Sequence, residues 1–182
     1  KVRQAIKYAI DYDGIIDGIL DGFGTRAGGV IAEGLIGHEP SLDTMFNTDI
    51  EKAKQLLEEA GYPDGFEMEL YFSDDAIQGI GVPNENLGAK IQADLAQIGV
   101  KVKLIQQDIN TLFPAYRDGK IPSLLWFFGP TFPDSDIIMS PHGDWNVQAT
   151  TRVGFNNQEV TDLIVKARSE TDPQLRSELY KD

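Results

Sequence analysis

Twice between residues 49 and 104 the apolar spacing switches from the period of a helix to that of a strand across a glycine, which restricts the chain to folds in which helices cover a sheet. Ile50, Ala53, Leu56, Leu57 and Ala60 share one helical face behind Asp49, a good N-cap, and Gly61 stands at the stop position. After the Pro63-Asp64-Gly65 turn, Phe66, Met68, Leu70 and Phe72 alternate with Glu67, Glu69 and Tyr71, the pattern of a half-buried strand. The unit recurs with the stripe Leu87, Ile91, Leu95 and Ile98, then Gly99, then Val100, Val102 and Leu104 alternating with Lys101 and Lys103. A third copy is expected in a weaker helix over 111–118, interrupted by Pro114, followed by Gly119 and the unbroken apolar run 124–128. That run is expected to be the central strand, covered on both faces.

On either side the patterns are helical or irregular. Val2, Ala5, Ile6, Ala9 and Ile10 predict a first helix, and Ile15, Ile16, Ile19 and Leu20 a second one starting from Asp13 as N-cap. Between Gly22 and Thr48 six glycines and Pro40 predict a long surface loop. Towards the end, a short strand over 152–155 is expected, then helices carrying Val160, Leu163, Ile164 and Ala167 and, beyond Asp172-Pro173, Leu175 and Leu179. The predicted fold class is α/β, a mixed sheet flanked by helices, with residues 1–182 as a single lobe. The start, without methionine or signal pattern, and the still-helical end RSELYKD read as cuts through a longer protein.

Composition narrows the function. With 41% hydrophobic residues the 182-residue chain can build a core without metal or disulfide. A formal charge of −13 repels phosphate backbones, so nucleic acid is not an expected partner. The absence of cysteine excludes thiol catalysis and thiolate metal sites. No nucleophile elbow, Walker loop or HExxH motif occurs, and Gly22-Phe23-Gly24 lacks the strand and third glycine of a dinucleotide fingerprint. The pairs Asp11/Asp13 and Asp74/Asp75 are of a kind a small acidic hydrolase could use, but nearby helix starts and turns account for them. Asp134, Asp136, His142 and Asp144 could supply cation ligands, yet their spacing matches no metal motif; no metal or cofactor is expected. His38 is expected to be a solvated loop residue.

Four blocks carry a family resemblance: RQAIKYAID at residues 3–11, DIEKAKQLLEEAGYPDGF at 49–66, IQADLAQIGVKVKL at 91–104, and NNQEVTDLIVKARSETDPQLRSELY at 156–180. In this order the chain resembles the family 5 extracellular solute-binding proteins of ABC importers, which include dipeptide, oligopeptide and nickel binders. The resemblance implies the C-terminal lobe of a two-lobed protein of periplasmic-binding-protein type II, without its N-terminal lobe and final return segment. The parent would be periplasmic or an extracellular membrane-anchored lipoprotein. It would capture a peptide, sugar or similar solute between its lobes for an ABC permease. In peptide binders of this family an Asp in the loop after the apolar strand pairs with the ligand's amino terminus; Thr131 stands there, while a second family Asp is retained as Asp134 and the next Pro is replaced by Ser135.

From the residues themselves, Trp126 and Phe128 are balanced between stacking on a ligand and packing in the core, whereas Phe127 is expected in the core. Trp145 is either a ligand contact or a local anchor. Arg152 and Arg26 either pair with a ligand carboxylate or balance an acidic surface. The expected ligand-binding set is Trp126, Phe128, Thr131, Asp134, Asp136, Trp145 and Arg152. The alternatives to a binding lobe are the acidic hydrolase and a protein-interaction module marked by a large apolar patch.

Overall fold

The two helix–glycine–strand stretches lie side by side in the computed structural model, which describes residues 1–77, 80–127, 129–147, 152 and 154–182. Strands β1 (Glu67–Ser73) and β2 (Lys101–Gln107) pair in parallel, from Glu67 opposite Lys101 to Ser73 opposite Gln107. The chain divides into two compact units, Lys1–Thr25 with Phe46–Phe127, and Arg26–Met45 with Phe128–Asp182.

The first unit holds the sheet together with helices α1 (Val2–Ala9), α2 (Tyr12–Gly18), α3 (Ile50–Glu58), α4 (Asn84–Ala96) and α5 (Ile109–Arg117). Its core is the set of residues that the two periodicities select: Leu57 from α3, Leu70 from β1, Leu95 from α4, and Val100 and Val102 at β2. Burying each such side chain stabilises the fold by about 1.5–3 kcal/mol. Ala5, Ala9 and Ala53 have no exposed surface, so α1 and α3 can approach closely. The start of α3 is tied to the end of α1, since the Asp49 N–H donates to the Tyr8 carbonyl at 2.8 Å and the Thr48 hydroxyl to the Ile10 carbonyl at 2.7 Å. Asp49 caps α3 by accepting from the Lys52 N–H, whereas α2 is capped by Asp11, not Asp13, through the Gly14 N–H at 2.9 Å.

The two strands begin together because glycine permits it. A Cβ on Gly65 would lie 2.1 Å from the Gly99 carbonyl oxygen, and both residues have positive φ, +77° and +79°. The polar face of the ladder carries Lys103–Glu69 at 3.2 Å and Lys101–Glu67 at 3.7 Å, exposed pairs of little energetic weight.

The run 124–128 is not the central strand. β1 occupies the centre, with β2 on one edge and, on the other, a single parallel bridge between Tyr71 and Leu124. There the Tyr71 N–H donates to the Ser123 carbonyl at 3.1 Å and the Leu125 N–H to the Tyr71 carbonyl at 2.8 Å. Pro122, which has no N–H to donate, stands just before this contact. Beyond Leu125 the chain leaves the ladder, so Phe127 is 53% exposed where core packing was expected, and Trp126 is 38% exposed. Helix α5 runs through Pro114, with Asp108 capping its start through the Asn110 N–H.

The second unit contains a 3-10 turn (Pro40–Leu42) and helices α6 (Asp136–Gly143), α7 (Gln158–Ser169) and α8 (Pro173–Lys181). Asn157 and Asp172 cap α7 and α8 by accepting from the next backbone N–H groups, with Pro173 in the first turn of α8. Ile31, Ala167 and Tyr180 form a small core. Gly143 lets α6 meet α7, since a Cβ there would lie 2.5 Å from Ile164 Cδ1. Arg152 has helical backbone where a strand was expected; residues 151 and 153 lie outside those described.

Candidate functional site

In the first unit the carboxyl ends of β1 and β2 and the segment after Leu124 open onto one cavity of about 660 Å³. This is where α/β sheets generally receive ligands, because side chains there can converge without disturbing the ladder. Ser73 and Asp75 follow from β1, Asn110 and Phe113 from the first turns of α5, Asn84 from the start of α4, and Trp126 from the bridged segment.

The rings of Phe113 and Trp126 stack with centroids 5.6 Å apart and planes 16° from parallel, and the Arg117 guanidinium lies 5.7 Å from the Phe113 centroid. Asn84 donates from Nδ2 to the Ser73 hydroxyl at 3.1 Å, and its N–H donates to the Asp75 carbonyl at 3.3 Å. The Asp75 side chain is exposed and, among the described residues, makes no ion pair or hydrogen bond. The cavity therefore offers a flat apolar surface, two carboxamides and a carboxylate. Among the described residues its lining contains no histidine, cysteine or lysine; its ionisable and hydroxyl side chains are those of Asp75 and Ser73.

Of the residues the sequence pointed to, Trp126 lines this cavity and Phe128 lies outside the described residues. The others belong to the second unit. Thr131 is exposed in a bend, Arg152 and Arg26 are half-buried, and Trp145 is half-buried with its N–H donating to the Thr161 hydroxyl at 3.1 Å.

Asp134, Asp136 and Asp144 are engaged by arginines. Arg176 pairs with Asp134, while Arg168 reaches Asp136 through Nε at 3.1 Å and Asp144 through Nη2 at 3.2 Å. Ser140 donates to Asp136 at 2.6 Å and also contacts Arg168. Burial would raise the Asp134 carboxyl, but the Arg176 hydrogen bonds, the Asp136 N–H and the Arg176 charge together outweigh it and hold the pKa below the usual carboxylate value. Burial pulls Arg168 down, yet Asp136 and Asp144 carry it above the ordinary guanidinium value. His142 bonds the Ile138 carbonyl through Nδ1 at 2.7 Å, so the ring is turned into its own helix. His38 is not solvated: its side chain is 14% exposed and Nε2 lies 3.0 Å from Asp43, which anchors the loop.

Sequence reasoning missed Phe113, Asn84 and Asn110, and set Asp75 aside as a turn residue. A usable signal was present, because all four follow the carboxyl ends of strands that the alternation had located.

A family model described as bacterial extracellular solute-binding proteins, family 5 Middle, matches residues 1–149. The chain is 31% identical over 182 residues to heme-binding protein A of Haemophilus influenzae, covering 100% of this chain and 33% of that protein. It is 30% identical over 184 residues to the dipeptide-binding protein of Escherichia coli, covering 100% of this chain and 34% of that protein. Among solved structures it is similar to HbpA2 from Haemophilus parasuis, with TM-score 0.89 and 30% identity over 99% of this chain and 35% of that one. The chain spans about a third of the length of the curated relatives it matches.

Proposed function

Because the chain belongs to the bacterial extracellular solute-binding proteins of family 5, we propose that it forms part of the wall of a solute-binding cleft in a two-lobed protein. In this reading the chain is most of one lobe, the other lobe closes over the solute, and the loaded protein delivers it to an ABC permease in the membrane. The protein works outside the cytoplasm, in the periplasm or held at the outer surface by a lipid anchor. It binds its solute without transforming it.

The observation that carries this reading is the aromatic-lined cavity beyond the carboxyl ends of the parallel strands. The solute is organic and small, of the peptide or sugar class. A relative is named for heme; among the described residues the cavity lining holds no His, Cys, Met or Tyr. Thr131, Asp134, Asp136, Trp145, Arg152 and Phe128 remain candidate contacts, with Thr131 supplying a hydroxyl where peptide binders of the family carry a carboxylate.

The test is calorimetry on the full-length protein with peptides and oligosaccharides, in the unmodified form and as Trp126→Ala. Loss of at least about tenfold in affinity is expected, beyond the fall of a few degrees in melting temperature that loss of the Phe113 stack brings. Unaltered binding in the variant would remove this cavity from the cleft.

A further inference from the structure

The three segments that build the cavity are unusual in a chain with sixteen basic residues, because none of the sixteen falls in them. Residues 73–77, 107–116 and 123–127 contain Asp74, Asp75 and Asp108 as their charged side chains. Asp108 is engaged in capping α5, and Asp74 is not among the lining residues. Asp75 lines the cavity, and no cation among the described residues satisfies its carboxylate.

The aromatic side of the cavity has the same electrostatic preference. The faces of Phe and Trp rings carry the negative lobes of their quadrupoles and attract cations. The ring stack already accepts one guanidinium, that of Arg117 against Phe113, and Arg117 is not among the residues lining the cavity. An anionic solute group entering here would meet Asp75 with no compensating charge, and a neutral one would desolvate that carboxylate without replacing its water.

We infer that this cavity takes an organic cation of the guanidinium or ammonium class, paired with Asp75 and lying against the Trp126 face. The inference rests on the reading of the cavity as part of the solute site. It makes the protein selective for solutes with a basic side chain beside an apolar or flat group, such as basic peptides. Asn84 and Asn110 orient the group through their amide oxygens, and Phe113 fixes the Trp126 ring.

The test uses the full-length protein and three dipeptides of similar shape, Leu-Arg, Leu-citrulline and Leu-Glu, titrated by calorimetry. Leu-Arg is expected to bind at least about tenfold more tightly than Leu-citrulline, with Leu-Glu weakest. Asp75→Asn should bring Leu-Arg and Leu-citrulline to within about twofold, while Asp74→Asn, a nearby exposed carboxylate, leaves the preference intact. Equal affinities in the unmodified protein, or a preference that survives Asp75→Asn, would overturn the inference. If all three bind alike and all are weakened by Trp126→Ala, the cavity reading stands and the cation preference falls. If none binds, the cation preference falls, and the cavity reading is decided by the peptide and oligosaccharide titrations of Trp126→Ala.

Discussion

Arg176 holds Asp134 through two parallel hydrogen bonds, Nη1 to Oδ2 at 2.6 Å and Nη2 to Oδ1 at 2.9 Å, while its Nε donates to the Ala167 carbonyl at 2.9 Å. One guanidinium thus joins α8, the end of α7 and the loop ahead of α6. The planar fork suits both acceptors at once, which a lysine could not reproduce. Arg176 and the Asp136 N–H thus occupy most of the acceptor positions of Asp134.

Arg176→Lys and Asp134→Asn should each destabilise the second unit by about 2 kcal/mol, the weight of hydrogen bonds to a charged group, read by chemical denaturation. The pH dependence has a definite sign. Asp134 has a depressed pKa in the folded chain, so its contribution is fully present above the unfolded value of about 4 and is lost as pH falls through the folded value. The stability gap between the unmodified chain and Asp134→Asn should therefore close in acid and be constant above about pH 5. A gap that widens in acid would contradict this assignment.

In the first unit Lys90 reaches Asp94 at 2.6 Å and Asp11 at 3.0 Å, and Asp94 is 3% exposed. Lys90→Met should cost about 3 kcal/mol, because a buried carboxylate is left without its cation. Lys90→Met/Asp94→Asn should recover most of that, since the amide still accepts from the Asp11 N–H. Burial opposes the charge on Lys90, but Asp94 and Asp11 raise its pKa overall, so this stabilisation is complete below the unfolded value of about 10.4 and is lost as pH rises through the folded one. Equal cost in the single and double variants would show that the charge pair carries no weight.

Gly65→Ala should be more damaging than any surface substitution in β1. Its positive φ alone costs an alanine about 1–2 kcal/mol, and the added Cβ meets the Gly99 backbone, which cannot move without shifting the start of β2. A melting temperature within about a degree of the unmodified chain would refute this.

Thr131→Asp in the full-length protein should raise affinity for peptides with a free amino terminus and leave N-acetylated peptides unaffected, because an exposed carboxylate can pair with an ammonium where the hydroxyl cannot. Tight binding of free peptides by the unmodified protein, lost on N-acetylation, would mean that Thr131 does not mark this anchoring position.

What the sequence determined by itself is the local order of the chain. Asp49, Gly61 and Gly99 set the limits of helices, and the alternation around Leu70 and Val102 defined which strand faces are buried, because caps and periodicity act between residues within a few positions of one another. Helix α6 escaped this reading since its apolar residues are consecutive and Pro141 lies inside it. The tertiary structure alone decided that β1, not the run 124–128, is central, because edge pairing depends on which remote segment supplies hydrogen-bond partners. It also decided that Asp134 belongs to Arg176, forty-two positions away, and that Phe113 stacks on Trp126 in the cavity that Asp75 lines. The strength of those contacts depends on burial and distance after folding, quantities that a linear pattern does not contain.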